Sequence, residues 1–534
     1  MNVNNEHKHK IEEIQKLLSR QKVQAASKLL QELVALRPHD PKVLVLLGIA
    51  ALKQNDLSKA EQYFLRAIEK NDAESQAHFQ LATLYLHQGQ FDKAIEQYQK
   101  VSVFDAEHLQ AEINLGEAFE SNWRYLEAEL VYKRVLQEDP YHLIVLDRLG
   151  GVLKKLGKTQ ESEEIYKKAL EASPKSYATL NHLGVLYQEE SDFNNAILSF
   201  EKTLALKPEN VTALFGLTHS RNQKQEFPEA KKLESLSQKG NLTAEEKMLL
   251  HFGLGKIYDD RENSEKAFFH FHAANQICAK RDPFDIRSFA NAVKGIKQLF
   301  NTKFIHDKKI VPSIDKIPLF IVGMPLSGKH LLQKTLALHQ AISFVGDQRL
   351  LIDLLKEFWH VPALMEELTN DDLKRIANDY IAGMSKLALK GSPFFCDTMP
   401  NNHLFLGVIA ILFPQAKIIH CTRHPLDLCL ASYTLHQSIP RGYAHDLAML
   451  GRYYQHYANL MGYWQSIGID NRIEVRYEDL VQTPKETLTE LFEFLELPFE
   501  TDTFPIPSFH THEVGRWQKY QPYLHPLIEV LYQQ

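Results

Sequence analysis

Residues 318–332 read PLFIVGMPLSGKHLL, and this stretch decides the fold of the C-terminal part of the chain. The apolar run 319–322 predicts a short buried strand, and a helical period of apolar residues begins near Lys329. The loop between them is bounded by Gly323 and Gly328. In a strand–loop–helix unit of this kind, backbone N–H groups and the helix dipole converge on one point, where they favour an anion. The stretch therefore predicts a phosphate-binding loop and a phosphorylated cofactor.

Length and composition limit the class of protein. The chain has 534 residues, of which 44% are hydrophobic and 24% are charged, so it is long enough for more than one globular domain. Its formal net charge of −6 argues against a general nucleic-acid binder. The N-terminal segment lacks the apolar core of a signal peptide, and the longest apolar run, 404–413, is shorter than the ~20 residues that span a bilayer. We therefore expect a cytoplasmic protein that binds neither nucleic acid nor membrane.

A repeat of 34 residues precedes the phosphate-loop stretch, with copies starting at residues 7, 41, 75, 109, 143 and 177. Its eighth position is small and its twenty-fourth is mostly aromatic, as in Gly48, Ala82, Gly116, Gly150 and Gly184, and in Phe64, Tyr98, Tyr132, Tyr166 and Phe200. Small residues let two helices cross closely, and we expect each ring to pack on the next repeat. The pattern resembles the tetratricopeptide repeat, which implies an all-helical superhelix.

We expect this array to span residues 1–281, with six registered copies in 7–210 and a further copy at 248–281. The aromatic residues are then the core between repeats. Arrays of this kind bind other molecules on the concave surface of the superhelix. The resemblance therefore implies a protein or peptide partner on that surface.

Beyond residue 281 the period fades, and residues 282–316 are expected to connect the array to a second domain at 317–534. That domain alternates strands with helices. We predict strands at 319–322, 417–422 and 472–476, and helices from Pro425 and from Pro484 to about Leu495. This order predicts a P-loop-like parallel α/β sheet with its site at the carboxyl ends of the strands.

The loop also fits part of the pattern of a nucleotide-hydrolysing P-loop. Gly323, Gly328 and Lys329 match that pattern, but His330 stands where a serine or threonine would hold magnesium. A second strand ending in aspartate is also required, and 394–397 is only a weak candidate. A magnesium-dependent kinase or NTPase is therefore one alternative.

Arg423 supplies a second candidate phosphate contact. It follows the predicted strand 417–422, so it lies at a carboxyl end beside the loop and can pair bidentately with a second phosphate. Two separate phosphate sites suit a nucleotide with phosphates at two positions. The alternative is that Arg423 forms a salt bridge inside the domain.

Four ordered blocks resemble the bacterial tetratricopeptide-repeat sulfotransferases, whose domain is related to the tyrosylprotein sulfotransferases. The blocks are IPLFIVGMPLSGKHLL, FCDTMPNNHLFLGVIAILFPQAKIIHCTRHPLDLCLASY, EVRYEDLVQTPKETLTELFEFLELPF and EVGRWQKYQPYLHPL. The resemblance implies 3′-phosphoadenosine 5′-phosphosulfate as sulfuryl donor and a protein tyrosine as acceptor. It also implies donor-binding roles for Gly323, Ser327, Gly328, Lys329 and His330 in the loop, for Arg423 and Ser432 at the 3′-phosphate, and for Arg516 in a Gly-Arg-Trp block that closes over the donor.

Two catalytic roles follow from the chemistry that the resemblance implies. Sulfuryl transfer depends on positioning and on stabilising the charge of the leaving phosphate, and a base removes the proton of the acceptor hydroxyl. Asp347 stands where the related tyrosylprotein enzymes place a glutamate base, and its alternative role is a loop or helix-cap residue. Lys329 is the candidate cation.

The chain departs from the family pattern at several positions. Leu326 replaces a loop arginine, Lys329 and His330 replace two hydroxyl residues, Thr398 replaces a lysine, and Ala431 replaces the 3′-phosphate serine. Ser432 follows one residue later, a rotation of about 100° on a helix. Either the site is rebuilt around Lys329, or the domain is a catalytically impaired scaffold that binds partners through its repeats.

No metal is expected at this site. The cysteines Cys278, Cys396, Cys421 and Cys429 show no ligand spacing and suit a reducing compartment. The histidines of this region, His330, His420 and His424, have no carboxylate or cysteine at ligand spacing.

Overall fold

A computed structural model of the chain describes residues 3–101, 108–221, 228–311, 316–345, 349–359, 362–388, 391–436, 441–469, 471–500, 504–506 and 513–532. The chain divides into two units, Met1–Pro174 and Lys175–Gln534. None of the helices in these ranges is both long and apolar enough to cross a membrane.

The first unit consists of helices in consecutive pairs, and each pair is one repeat. Asp40 shows how a pair begins, because its carboxylate accepts from the backbone N–H of Lys42 at 3.0 Å and Pro41 occupies the first helical position. The helices are α1 Val3–Ser19, α2 Val23–Leu36, α3 Pro41–Lys53, α4 Leu57–Lys70, α5 Ser75–His87, α6 Phe91–Tyr98, α7 His108–Ser121, α8 Tyr125–Glu138, α9 Leu143–Lys155 and α10 Thr159–Ala172.

In several repeats an aromatic ring lies against a glycine of the same repeat. A Cβ atom on Gly116 would lie 2.3 Å from the ring of Tyr132, and one on Gly150 would lie 2.4 Å from the ring of Tyr166. In the second unit, Phe200 makes the same contact within its repeat and also touches Gly216 of the next helix pair. The predicted packing onto the next repeat is therefore confirmed for Phe200, and the contact within the repeat is an addition to it.

The second unit begins with three more helix pairs and continues into an α/β region. The described part of residues 211–247, where the repeat pattern is weak, is largely helical. The helices are α11 Tyr177–Glu189, α12 Phe193–Leu206, α13 Val211–Ser220, α14 Pro228–Ser237, α15 Ala244–Asp260, α16 Ser264–Arg281, α17 Ile286–Leu299, α18 Thr302–Lys308, α19 Lys329–Leu336, α20 Leu350–Trp359, α21 Pro362–Glu367, α22 Asn370–Ser385, α23 Leu406–Leu412, α24 Pro425–Thr434, α25 Leu447–Ser466, α26 Tyr477–Gln482, α27 Pro484–Leu495 and α28 His525–Tyr532, with 3₁₀ helices at Asn402–Leu404, Gly442–His445 and Arg516–Tyr523.

A parallel five-stranded sheet forms the centre of the α/β region. The strands are β1 Ile317–Val322, β2 Ile342–Phe344, β3 Phe394–Asp397, β4 Lys417–Thr422 and β5 Arg472–Arg476, in the spatial order β2-β3-β1-β4-β5. All four pairings are parallel. Strand β1 is in the middle, so the loop after it is flanked by the carboxyl ends of β3 and β4.

Both faces of the sheet are buried, which explains why β1 is apolar throughout. Leu319 and Ile321 point into a core formed with α19 and α27, whereas Phe320 and Val322 point into the opposite core. The second core also contains Phe271 of the last repeat. The last helix pairs of the array and the sheet therefore share one hydrophobic core within this unit.

The predicted fold class is confirmed, with a tetratricopeptide-type helical region followed by a parallel α/β region. The strands predicted at 417–422 and 472–476 and the helix at 484–495 have the expected bounds, and β1 begins two residues earlier than predicted. Residues 282–316 contain helices α17 and α18. The proposed domain boundaries at 281 and 317 stay predictions.

Adjacent glycines in α9 give a matched test of the ring-on-glycine contact. Gly150→Ala should destabilise the chain by about 1–3 kcal/mol, because its methyl group would overlap the ring of Tyr166. Gly151→Ala should be neutral or stabilise by up to about 1 kcal/mol, since the nearest atom to its Cβ would be 3.8 Å away. Urea unfolding of both variants measures the difference, and equal free energies of unfolding would contradict the account.

Candidate active site

The loop after β1 has a backbone shape that its two glycines permit. Gly323 has φ of +149° and Gly328 has φ of +100°. A Cβ on Gly323 would lie 2.5 Å from the carbonyl oxygen of Cys421, and one on Gly328 would lie 3.1 Å from the ring of Tyr477. The loop therefore fits against the ends of β4 and β5 only without side chains at these points. Leu326 also lies in the left-handed region, at φ of 68°.

The interior of this loop has the polar groups that an anion needs. The Ser327 side chain is buried, and among the described residues its Oγ has no hydrogen-bond partner. A buried hydroxyl of this kind is costly unless a ligand or water bonds it. The loop leads directly into the N-terminus of α19, where the helix dipole favours negative charge. The residues present therefore fit a phosphate or sulfate group.

Lys329 places a cation under the loop. Its Nζ is buried. Its positive charge affects the pKa of two neighbouring side chains, His403 and Cys421. Burial lowers the pKa of His403 to about 4 against a hydrogen bond to the Pro400 carbonyl, and the Lys329 ammonium lowers it further. Burial raises the pKa of Cys421 to about 12, and the Lys329 charge opposes that rise. The ammonium thus lies among the strand ends.

Arg423 lies beside the loop, as predicted, and is also held by an acidic residue. Its Nη1 donates to the carbonyl of Leu326 at 3.3 Å, which joins β4 to the loop. Its Nη2 donates to the carbonyl of Glu513 at 3.0 Å and lies 3.4 Å from the carboxylate of Glu513. The guanidinium lies 4.4 Å from the ring centroid of Tyr477, and the side chain is 5% exposed. Arg423 therefore forms a salt bridge inside the domain and also lies beside the loop, and its phosphate-binding role stays a prediction.

The profile of the sulfotransferase family matches residues 318–501. Residues 318–501 are a sulfotransferase-family domain. Tetratricopeptide-repeat profiles match residues 12–75, 45–105, 79–142, 145–176 and 177–210. The chain therefore joins tetratricopeptide repeats to a sulfotransferase domain.

Relatives of the chain share parts of this arrangement. An "Uncharacterized protein" of Aquifex aeolicus (strain VF5) is 26% identical over 310 residues, which cover 52% of this chain and 41% of that protein. A "Putative protein-tyrosine sulfotransferase" of Caenorhabditis briggsae is 25% identical over 211 residues, which cover 37% of this chain and 69% of that protein. The chain thus spans about two fifths of the Aquifex relative's length.

Solved structures of repeat proteins resemble the chain only weakly. A tetratricopeptide repeat protein from Parabacteroides merdae has a TM-score of 0.38 and 19% identity, over 44% of this chain and 93% of that one. A score of this size supports no inference about function.

The turn after β4 in the sulfotransferase domain is held by two acids. Glu478 accepts from the backbone N–H of His424 at 2.8 Å, so this acid braces the β4–α24 turn. Asp427 accepts from the backbone N–H groups of Gly515 and Trp517 at 2.7 and 2.8 Å. The ring of Trp517 also stacks on His424. The Gly-Arg-Trp block is therefore fixed against the first turn of α24.

Two of the other predicted donor-binding residues, Ser432 and Arg516, bond groups of the protein. Ser432 is buried in α24, and its hydroxyl donates to the carbonyl of Leu428 at 2.9 Å. Arg516 donates to Asp259 at 2.8 Å and to Thr434 at 3.1 Å. His330 is the second residue of α19. The roles of these residues stay predictions.

Asp347, the predicted base, lies outside the described residues. The two replaced family positions outside the loop are both buried: Thr398 follows β3 and Ala431 lies in α24. Among the described residues there is no group of three or more histidine, cysteine or acidic side chains that could hold a metal ion.

A cluster beneath the loop was not predicted from the sequence. The hydroxyl of Tyr457 lies 2.8 Å from Nε2 of His420 and is hydrogen-bonded by the backbone of Met324 in the loop. The ring of His403 packs edge-on against Tyr457. These residues come from α25, β4 and the segment after β3, and only their three-dimensional arrangement links them to the loop.

The two histidines of this cluster, His403 and His420, should make the stability of the second unit depend on pH. Burial lowers the pKa of His403 to about 4 and of His420 to about 3. An unfolded histidine titrates near ~6.5, so stability is full above that pH and falls as the pH drops towards the folded values. The loss is at most about 1.4 kcal/mol per pH unit for each histidine.

Urea unfolding at several pH values between 7.5 and 5.5 measures this loss. His403→Asn should reduce the pH dependence of the free energy of unfolding, whereas His306→Asn, at a side chain that is 86% exposed, should leave it as in the wild type. A wild-type free energy of unfolding that does not fall over this range would contradict the assignment.

Proposed function

We propose that the chain is a sulfotransferase that takes its sulfuryl group from 3′-phosphoadenosine 5′-phosphosulfate and passes it to a hydroxyl acceptor. One observation carries the proposal: two anion-binding features adjoin each other. They are the loop around the buried Ser327 hydroxyl and Arg423, which bonds that loop at Leu326. A nucleotide with phosphates at its 5′ and 3′ positions has one anion for each feature. Membership of residues 318–501 in the sulfotransferase family supports this donor.

The loop residues would hold the 5′ end of the donor, and Arg423 with Ser432 would hold its 3′-phosphate. The bound donor supplies an activated sulfuryl group. The chain supplies positive charge where the leaving phosphate becomes more negative, from the backbone N–H groups at the start of α19 and from Lys329. Because Nζ of Lys329 is buried, its charge is weakly screened by solvent.

A base must also accept the proton of the acceptor hydroxyl. We propose Asp347 for this role because of its position after β2. Protein tyrosine is the proposed acceptor, and the printed name of the Caenorhabditis briggsae relative supports it. The tetratricopeptide repeats would present that acceptor, since arrays of this kind bind proteins or peptides. A cytoplasmic location stays a prediction.

A second candidate function is a scaffold whose sulfotransferase domain has lost its activity. The observation that favours it is the carboxylate of Glu513, which lies 3.4 Å from the Arg423 guanidinium and would have to yield to a phosphate. The replacements at Leu326, Thr398 and Ala431 also favour a loss of activity. In this alternative the repeats bind partners and the second domain contributes only structure.

Calorimetry with 3′-phosphoadenosine 5′-phosphate separates these functions from that of a kinase. The wild type should bind this nucleotide without magnesium and more tightly than it binds ATP with magnesium. Arg423→Ala should weaken binding by about 1.5–3 kcal/mol, the range of a hydrogen bond to a charged group. Arg476→Ala is the control, because this arginine also ends a strand but pairs with Asp479 and is 59% exposed. Tighter binding of ATP with magnesium, or an unchanged Arg423→Ala variant, would contradict the donor assignment.

Transfer of labelled sulfate to tyrosine peptides tests the catalytic roles. Lys329→Ala should abolish transfer because it removes the buried cation, whereas Lys374→Ala, at an exposed lysine, should not change it. Leu326→Arg should raise transfer or donor affinity by restoring the family's loop cation. Asp347→Asn should remove transfer but keep nucleotide binding. Full transfer by Lys329→Ala would exclude the rebuilt site, and a wild type that binds the nucleotide but sulfates nothing would favour the scaffold.

A further inference from the structure

An aspartate of the last repeat, outside the sulfotransferase domain, joins two residues that follow that domain. Asp259 lies in the last turn of α15. Its Oδ2 accepts from Arg516 at 2.8 Å and its Oδ1 accepts from the hydroxyl of Tyr520 at 2.6 Å. The Arg516 side chain is 13% exposed and that of Asp259 is 18% exposed. Charge-assisted bonds of this length in a largely dry place are strong and fix both partners.

Residues 513–517, which include Arg516, also contact Arg423 and the start of α24. Gly515 and Trp517 flank Arg516, and both donate their backbone N–H groups to Asp427 of α24. Glu513, three residues before Arg516, accepts from Arg423 through its backbone carbonyl at 3.0 Å. The 3₁₀ helix Arg516–Tyr523 and the residues just before it therefore connect the last repeat to Arg423.

Helix α16 of the same repeat supports this connection at a second point. Asn275 donates to the backbone carbonyl of Tyr433 at 2.7 Å, and Nδ1 of His272 lies 2.7 Å from the Tyr433 hydroxyl. The ring of Phe268 stacks on Tyr523, with centroids 4.9 Å apart. Tyr433 directly follows the predicted 3′-phosphate residue Ser432. The last repeat thus contacts both α24 and the 3₁₀ helix.

We propose that Asp259 is a positioning residue of the donor site, through which the repeat array sets the affinity for the nucleotide. This inference rests on the proposed function. Arg516 is shared between two acids, because it lies 2.8 Å from Asp259 and 3.9 Å from the carboxylate of Glu513. The same Glu513 carboxylate lies 3.4 Å from Arg423. Without the Asp259 charge, Glu513 remains as the acid beside Arg516, and a buried guanidinium needs such a partner. Glu513 and the backbone carbonyl that Arg423 bonds would then shift together.

The experiment uses the full-length chain with Asp259→Asn, which keeps the size of the side chain and removes its charge. The matched control is Asp260→Asn, because Asp260 is the next residue of α15 and pairs with Lys256. Calorimetry with 3′-phosphoadenosine 5′-phosphate should show binding about tenfold weaker for Asp259→Asn, within the usual range of coupling between two sites. The control should bind like the wild type. Hydrogen exchange without nucleotide should be faster at residues 516–523 only in Asp259→Asn.

Two further measurements distinguish positioning from a general loss of structure. Tyr520→Phe removes only one hydroxyl, and it should weaken nucleotide binding in the same direction while keeping the urea midpoint close to the wild-type value. If the wild type transfers sulfate, the KM for the donor should be higher in both variants, whereas the KM for the acceptor should be unchanged. If Asp259→Asn fails to fold, the nucleotide affinity of Tyr520→Phe alone decides between the two explanations.

The outcomes separate this inference from the proposed function. A wild type that does not bind the nucleotide overturns the proposed donor and this inference with it. A wild type that binds, together with Asp259→Asn and Tyr520→Phe variants that bind equally well, overturns the inference and leaves the donor site standing.

Discussion

The close approach of β1 and β4 at their carboxyl ends is the constraint on which the site depends. A Cβ atom at Gly323 would lie 2.5 Å from the backbone of Cys421 and 2.7 Å from the hydroxyl of Ser327. The loop can therefore turn directly over β4, and this turn places the carbonyl of Leu326 within reach of Arg423. The loop after β1 and the arginine beside it are thus positioned by the packing of two central strands.

Acidic residues hold the positive groups of the site in position. Asp427 and Glu478 accept hydrogen bonds from backbone N–H groups near the start of α24. Asp259 pairs with Arg516, and Glu513 pairs with Arg423. Positive groups fixed in this way need little rearrangement when negative charge develops beside them, which is the physical basis of electrostatic catalysis. The same arrangement has a cost for binding, because Glu513 competes with any anion at Arg423. Under the proposed function, these charges would link the affinity for the donor to the order of the last repeat.

The amino-acid sequence was sufficient for the parts of the fold that follow a regular pattern. The repeats were found because small and aromatic residues recur in register, and β4 and β5 because apolar or alternating runs end at a turn. Strand β2 was missed because it has only three residues. The loop after β1 was predicted from the glycines that bound it, and glycine is required there at two points of close approach. Its phosphate-binding role stays a prediction. These features are local, and local chemistry is what a single sequence shows.

The contacts that complete the site could not be predicted because they join distant parts of the chain. Asp259 and Arg516 are 257 positions apart, and no period or motif connects them. The position of Ser432 in α24 was predictable, but the hydrogen bond of its hydroxyl to Leu428 depends on a side-chain rotamer. The role of Lys329 was inferred from charge alone, and its burial among the strand ends depends on the tertiary packing.

A crystal structure of the full chain with 3′-phosphoadenosine 5′-phosphate tests the central claim most directly. The account predicts the 5′-phosphate in the loop, bonded by the Ser327 hydroxyl and the first backbone N–H groups of α19. It also predicts the 3′-phosphate on Arg423, with the Glu513 carboxylate displaced. A nucleotide bound elsewhere, or one whose phosphates leave the loop and Arg423 untouched, would contradict the account.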